Sequence, residues 1–273
     1  MFAHPFDEAI ALEPQADATF LGHTSEPYAN FVGPFGGISA AQMLNAVLLH
    51  PQRLGDPVSL TVNFCAAVVN GPFTIAARAA RTNRSTQHWV IEMTQENPQG
   101  RQTVLTATAV TAVRRSTFGA TEVTMPQVPS ADQVTLKPRF APMQWVHRYE
   151  LRFIEGGFPE SLDGSDANHS LTQVWLRDAL QRPLDLASLT AVSDAFFPRL
   201  LLRRARFVPV GTVSMTIYYH ATTEQIARVG GEFVLGQARG QHFQNGFFDQ
   251  TAQLWSSAGD MLVTTHQTVY FKE

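Results

Sequence analysis

The chain holds one cysteine, Cys65, in 273 residues. A single thiol excludes an intrachain disulfide framework and a cysteine-rich zinc site. Cys65 lies in an apolar, strand-like run, which predicts a buried structural thiol rather than a nucleophile. Charge is also scarce: only 16% of residues are Asp, Glu, Lys or Arg, and the net charge is −3. That balance argues against a nucleic-acid binder, which usually carries a basic face. No stretch approaches the ~20 apolar residues needed to span a bilayer. The N-terminal MFAHPFDEAIALEPQ has no basic start, long apolar run or cleavage-site pattern. No signal peptide is therefore expected, and the expected location is cytoplasmic. The histidines are scattered and none has the paired helical spacing of a catalytic zinc site. Nothing points to a metal or a redox cofactor.

What is present is a repeat. Residues 58–64 read VSLTVNF and residues 213–219 read VSMTIYY, an offset of 155 (58 to 213). So long a period implies two related modules rather than a solenoid of short units. Hydrophobic residues make up 44% of the chain, ample for two packed cores. In the first copy, Gly33-Pro34-Phe35-Gly36-Gly37 leads into ISAAQMLNAVLLH. There Ile38, Met43, Leu44 and Val47 suit a buried helix. Strands are predicted over 57–68, 72–82, 86–96 and 102–114, with Asn70-Gly71 read as a hairpin turn joining the first two. In the second copy, a strand is predicted over 146–154 and another segment centres on 173–177. Asp185 caps a helix reading LASLTAVSDAFF, which Pro198 ends. Strands follow over 210–221, 230–240, 246–257 and 261–271. The expected domains are 1–115, a proline-rich linker over 116–145 that includes Pro138, and 146–273. Each module reads as one helix followed by an antiparallel meander.

Asp194 is the sharpest chemical candidate. It lies in the apolar run Ala191-Val192-Ser193-Asp194-Ala195-Phe196-Phe197. A carboxylate there bears a desolvation cost unless it has partners, and partial desolvation makes it a stronger base near neutrality. The repeat acts as an internal control. At the 155 offset, Asp194 falls on Ser39 and Thr212 on Pro57. For the last strands a match of Leu262 to Leu105 sets Gln267 opposite Val110. One copy thus carries an acid, a hydroxyl and an amide that the other lacks.

The chain resembles the acyl-CoA thioesterase II family, whose members are double-hotdog proteins of the α+β class. The resemblance runs over nearly the whole chain. It rests on Phe35-Gly36-Gly37, Arg84-Ser85, Val174-Trp175-Leu176-Arg177, Ser193-Asp194, Gly211-Thr212, Tyr218-Tyr219-His220, Leu254-Trp255 and Gln267. It implies two hotdog modules, each an antiparallel sheet wrapped around a long helix. It also implies that Asp194, Thr212 and Gln267 hold and activate a water that attacks an acyl-CoA thioester. Thioesters are electrophilic, so a positioned base and water suffice without a covalent nucleophile. Backbone N–H groups at Gly36 and Gly37 would polarise the carbonyl, with a tight turn or close packing as the competing explanation for both glycines. Arg84, or one arginine of Arg203-Arg204-Ala205-Arg206, would meet a coenzyme A phosphate. A homodimer or larger homo-oligomer is expected by resemblance. The chain departs from the family in Thr190-Ala191-Val192 before Ser193-Asp194 and in the segment 240–246. Two rivals stay open: a hotdog that binds acyl-CoA or an acyl carrier without turnover, and a hotdog hydratase. The second would need an acid–histidine pair, and Asp166-Ala167-Asn168-His169 reads instead as a polar loop.

Overall fold

The computed structural model describes residues 4–136 and 142–273, so Pro138 lies outside the described residues. The chain divides into two compact units. The first holds the described parts of 1–117, 140–148 and 185–194; the second holds those of 118–139, 149–184 and 195–273.

The first unit contains α1 (Pro5–Ala9), β1 (Glu13–Pro14), β2 (Thr19–His23), α2 (Gly36–Leu48), β3 (Asp56–Phe64), β4 (Pro72–Thr82), β5 (Thr86–Asn97) and β6 (Gly100–Ala112). Its antiparallel sheet runs β1-β2-β4-β5-β6-β3. As expected, Ile38, Met43, Leu44 and Val47 of α2 are completely buried. The short helix α3 (Leu186–Val192) packs on α2 in the same unit. Gly37 permits the close approach: a Cβ there would lie 2.3 Å from the Ala191 carbonyl oxygen.

Two expectations fail in this unit. Asn70-Gly71 does not close a hairpin, because β3 pairs with β6. The free edge of β4 is taken by β2, a strand of the N-terminal lead that the alternation reading missed. Gly71 instead donates its N–H to Thr24 Oγ1 (2.9 Å) and accepts from the Thr24 N–H (3.0 Å). Its φ of 140° explains the glycine without a hairpin. Cys65 is exposed rather than buried. Past the irregularity at Val58 the inward positions of β3 are Leu60 and Val62, so Cys65 shares the outward parity of Asn63, just beyond the strand's end at Phe64.

The second unit contains β7 (Tyr149–Glu155), β8 (Thr172–Asp178), α4 (Arg199–Arg204), β9 (Val210–Tyr219), α5 (Thr223–Val229), β10 (Val234–Arg239), β11 (Phe243–Gln244), β12 (Phe247–Ser256) and β13 (Met261–Phe271). Its antiparallel order is β9-β13-β12-β10-β8-β7, with β11 on β12. Here an Asn-Gly pair does close a hairpin. Asn245 and Gly246 have φ of 54° and 76° and join β11 to β12 by a two-residue loop. Trp175, Leu235 and Trp255 form one row across β8, β10 and β12. Met125, Val128 and Ala131 of the proline-rich segment pack on that row, and Trp175 Nε1 donates to the Pro129 carbonyl at 2.8 Å.

The sheets repeat one another: β9, β13, β12, β10 and β8 follow the order of β3, β6, β5, β4 and β2. Even the irregularities recur. Val58 is skipped in the β3–β6 ladder and Val213 in the β9–β13 ladder, again 155 apart. Val104 and Leu262 are skipped in the β5–β6 and β12–β13 ladders. Each skipped carbonyl accepts two N–H groups: Val104 from Cys65 and Ala66, Leu262 from His220 and Ala221. The last strands therefore align at an offset of 158 (104 to 262). Gln267 corresponds to Ala109, not to Val110 as the match of Leu262 with Leu105 suggested. Because side chains alternate, that one-residue correction moves the counterpart to the other face of the sheet. The architecture is a double hotdog of the α+β class.

Candidate active site

The helix expected to run from Leu186 to Phe197 stops at Val192, and a new helix starts at Arg199. Pro198 lacks an N–H, and its ring disfavours a helical conformation at Phe197. Asp194 thus lies on irregular backbone rather than in a helix, half-buried, with its N–H donating to the Ala191 carbonyl at 3.2 Å. Its carboxylate occupies the space beside Gly36. A Cβ built on Gly36 would sit 2.7 Å from Asp194 Oδ2, so the first residue of α2 must lack a side chain for the carboxylate to stay where it is. The first turn of α2 carries no acidic residue. Helix-starting N–H groups have no partner inside the helix and carry partial positive charge, so this end favours an anion or an oxyanion.

Arg199, which the sequence reading passed over, holds the break in shape. It is fully buried. Its Nε donates to the Phe197 carbonyl (3.1 Å), Nη2 to the same oxygen (2.5 Å), and Nη1 to the Ser170 carbonyl (2.9 Å) and Thr172 Oγ1 (2.8 Å). All these acceptors are neutral. Burial pulls the guanidinium pKa down to about 9, which leaves it charged at neutral pH. At the 155 offset its counterpart is Leu44, inside the unbroken α2.

Thr212 and Gln267 meet in the second unit. Thr212 Oγ1 donates to Gln267 Oε1 at 3.3 Å, and Gln267 Nε2 donates weakly to Met215 Sδ at 3.4 Å. Strict alternation would turn Thr212 away from Met215, which pairs directly with Gln267. The skipped Val213 inserts one extra residue and rotates Thr212 back onto the buried face. In the first copy the same irregularity at Val58 puts Pro57 on the buried face. Two further polar groups share this face, Gln250 and Thr265, and the sequence offered no signal for either.

The structure thus brings Asp194 to Gly36 in one unit and Thr212 to Gln267 in the other. Gly37 is accounted for by packing against α3. Arg84 stands exposed in the turn between β4 and β5. The basic run is engaged: Arg204 pairs with Asp166 (2.5 Å) and Glu273 (3.1 Å), and Arg206 pairs with Glu273. Asp166 and His169 go to different partners, His169 pairing with Glu155 at 3.5 Å. His220 bonds Thr264 and His266 approaches Asp249, both on the exposed face. Among the described residues, no helix is long and apolar enough to cross a membrane.

The double hotdog is a thioesterase-type scaffold, and comparison with known families agrees. Residues 24–112 match the acyl-CoA thioesterase N-terminal domain and residues 120–271 the acyl-CoA thioesterase C-terminal domain. The chain belongs to the acyl-CoA thioesterase family and is a thioester-hydrolysing enzyme. A hot-dog protein of unknown function from Alicyclobacillus acidocaldarius is 44% identical, with a TM-score of 0.93 over 100% of this chain and 99% of that one. The tesB protein of Mycobacterium avium subspecies paratuberculosis (14% identity, TM-score 0.76, 98% of both chains) shares the fold. So does the acyl-CoA thioesterase II TesB2 of Mycobacterium marinum (15% identity, TM-score 0.73, 98% of both chains). Among curated proteins there is no significant match.

Proposed function

We propose that the protein hydrolyses acyl-CoA thioesters to the free acid and coenzyme A, with Asp194 as general base. The Asp194 carboxylate takes a proton from a water that Thr212 and Gln267 orient. The resulting hydroxide attacks the thioester carbonyl, and the carbonyl π electrons move onto oxygen. The N–H groups of Gly36 and Gly37 stabilise that oxyanion. Collapse of the tetrahedral intermediate expels the coenzyme A thiolate, which takes up a proton. No covalent acyl-enzyme forms. Arg84 is free to meet a phosphate of the coenzyme.

The observation that carries this reading is the glycine at position 36. An ordinary helix start tolerates a side chain, whereas this one is kept bare where it abuts a carboxylate. Thiol release measured across a series of acyl-CoA chain lengths tests the activity. The expected result is coenzyme A release by the wild type and its near loss in Asp194→Asn. Tight acyl-CoA binding with no thiol release would replace the hydrolase reading with a binding one.

A further inference from the structure

The buried face around Gln267 holds two polar side chains that the proposed reaction does not use. Gln250 pairs directly with Gln267 across β12 and β13 and is 3% exposed. Its side chain takes part in no hydrogen bond among the described residues. Thr265, two positions along β13 on the same face, is 4% exposed, and its Oγ1 is buried without a partner. Directly opposed side chains on one face have Cβ atoms about 5 Å apart, and diagonal neighbours about 7 Å. The two unpaired groups therefore flank Gln267 at roughly the spacing of a few carbon atoms.

The first copy shows what an idle version of this face looks like. The counterparts of Gln250 and Thr265 are Trp89, which pairs with Ala109, and Ala107. Trp89 fills the space and satisfies its one polar atom by donating to Thr111 Oγ1 at 3.2 Å. The second copy has in those places an amide with no hydrogen-bond partner among the described residues and a hydroxyl shut away unpaired. A buried amide or hydroxyl left unpaired is costly, so its partner is expected to come with the ligand.

We propose that Gln250 and Thr265 form a polar subsite for an oxygen substituent on the acyl group, a hydroxyl or keto group within the first few carbons of the thioester carbonyl. The amide offers both a donor and an acceptor and the hydroxyl can serve as either, so the pair suits either kind of oxygen. A site built to hydrogen-bond an oxygen disfavours the analogue that lacks it. The inference rests on the hydrolase reading for its location, since Gln267 marks where the carbonyl is attacked.

The test compares kcat/KM for matched substrates, butyryl-CoA against 3-hydroxybutyryl-CoA and octanoyl-CoA against 3-hydroxyoctanoyl-CoA. Wild type, Gln250→Leu, Thr265→Val and the double variant are assayed. The expected result is a wild-type preference for the oxygenated member that falls about tenfold in each single variant and further in the double. Hydrolysis of the plain acyl chain should hold or rise. Both variants replace an unpaired buried group by an apolar one of similar size, so thermal unfolding should be unchanged or shifted upward. Calorimetric Kd ratios for the same pairs on Asp194→Asn read the subsite without turnover. If no thiol is released from any substrate but those ratios still favour the hydroxylated ligand, the hydrolase reading fails and the subsite stands. Ratios that are the same in wild type and variants, or that favour the plain chain in the wild type, overturn the subsite.

Discussion

The first copy runs its helix unbroken from Gly36 to Leu48, while the second stops at Val192 and restarts at Arg199. Side by side, the two show where a shared scaffold was released from its structural duties. The unbroken copy has Ser39, Leu44, Pro57, Ala107 and Ala109 where the broken copy has Asp194, Arg199, Thr212, Thr265 and Gln267. That first set, apolar but for Ser39, keeps its surroundings self-sufficient. The polar set does not: at the interrupted helix a buried arginine takes up the Phe197 carbonyl and ties it to Ser170 and Thr172, and the break sets an acid on irregular backbone. Both sheets keep the same two bulges, so the device that turns Thr212 inward is part of the shared scaffold.

The largest effect expected to separate the copies is at the acid. Asp194→Asn should lower kcat by about a hundredfold or more while leaving circular dichroism and the unfolding midpoint in place. Ser39→Ala, its counterpart, should leave thiol release unchanged; equal losses at both positions would erase the functional asymmetry. Next comes the brace. Arg199→Leu copies the first module's residue into a site that leaves the Phe197 and Ser170 carbonyls without their donor, which should cost about 2 kcal/mol of stability in urea denaturation. An unaffected midpoint would mean that the break holds itself. The glycines sharpen the picture in a third way. Gly36→Ala pushes a methyl group against a movable carboxylate, so activity should fall about tenfold with stability held. Gly37→Ala presses on the α3 backbone instead and should destabilise the protein. The smallest effect is expected from Thr212→Val, a several-fold drop in kcat with KM little changed, measured by steady-state thiol release. It removes one of the two groups proposed to hold the water and leaves Gln267.

Much of this was legible in the residues. The VSLTVNF and VSMTIYY echo, the strand alternation and the buried stripe of α2 reported two modules with a helix each. The echo also singled out Asp194, because an acid opposite Ser39 stands out in an apolar run. The illegible parts share a cause. A bulge leaves no mark in the composition, so neither the facing of Thr212 nor the counterpart of Gln267 could be read reliably, and a match on Leu262 slipped by one residue. Asn70-Gly71 has the chemistry of a hairpin, yet β2 arrives from far along the chain and claims the strand edge. Arg199, Gln250 and Thr265 carry no local signature, since a polar residue in a strand or at a helix start is ordinarily exposed.

Local chemistry along the chain was enough to mark most of the strands, the duplication and a candidate acid, because hydrophobic period and residue type act over a few neighbours. Only the tertiary structure decided which strand edges met, where the second helix broke and which polar groups were shut away from water. Those outcomes depend on competition between distant segments for the same edge or the same volume, and that competition is settled only when the whole chain packs.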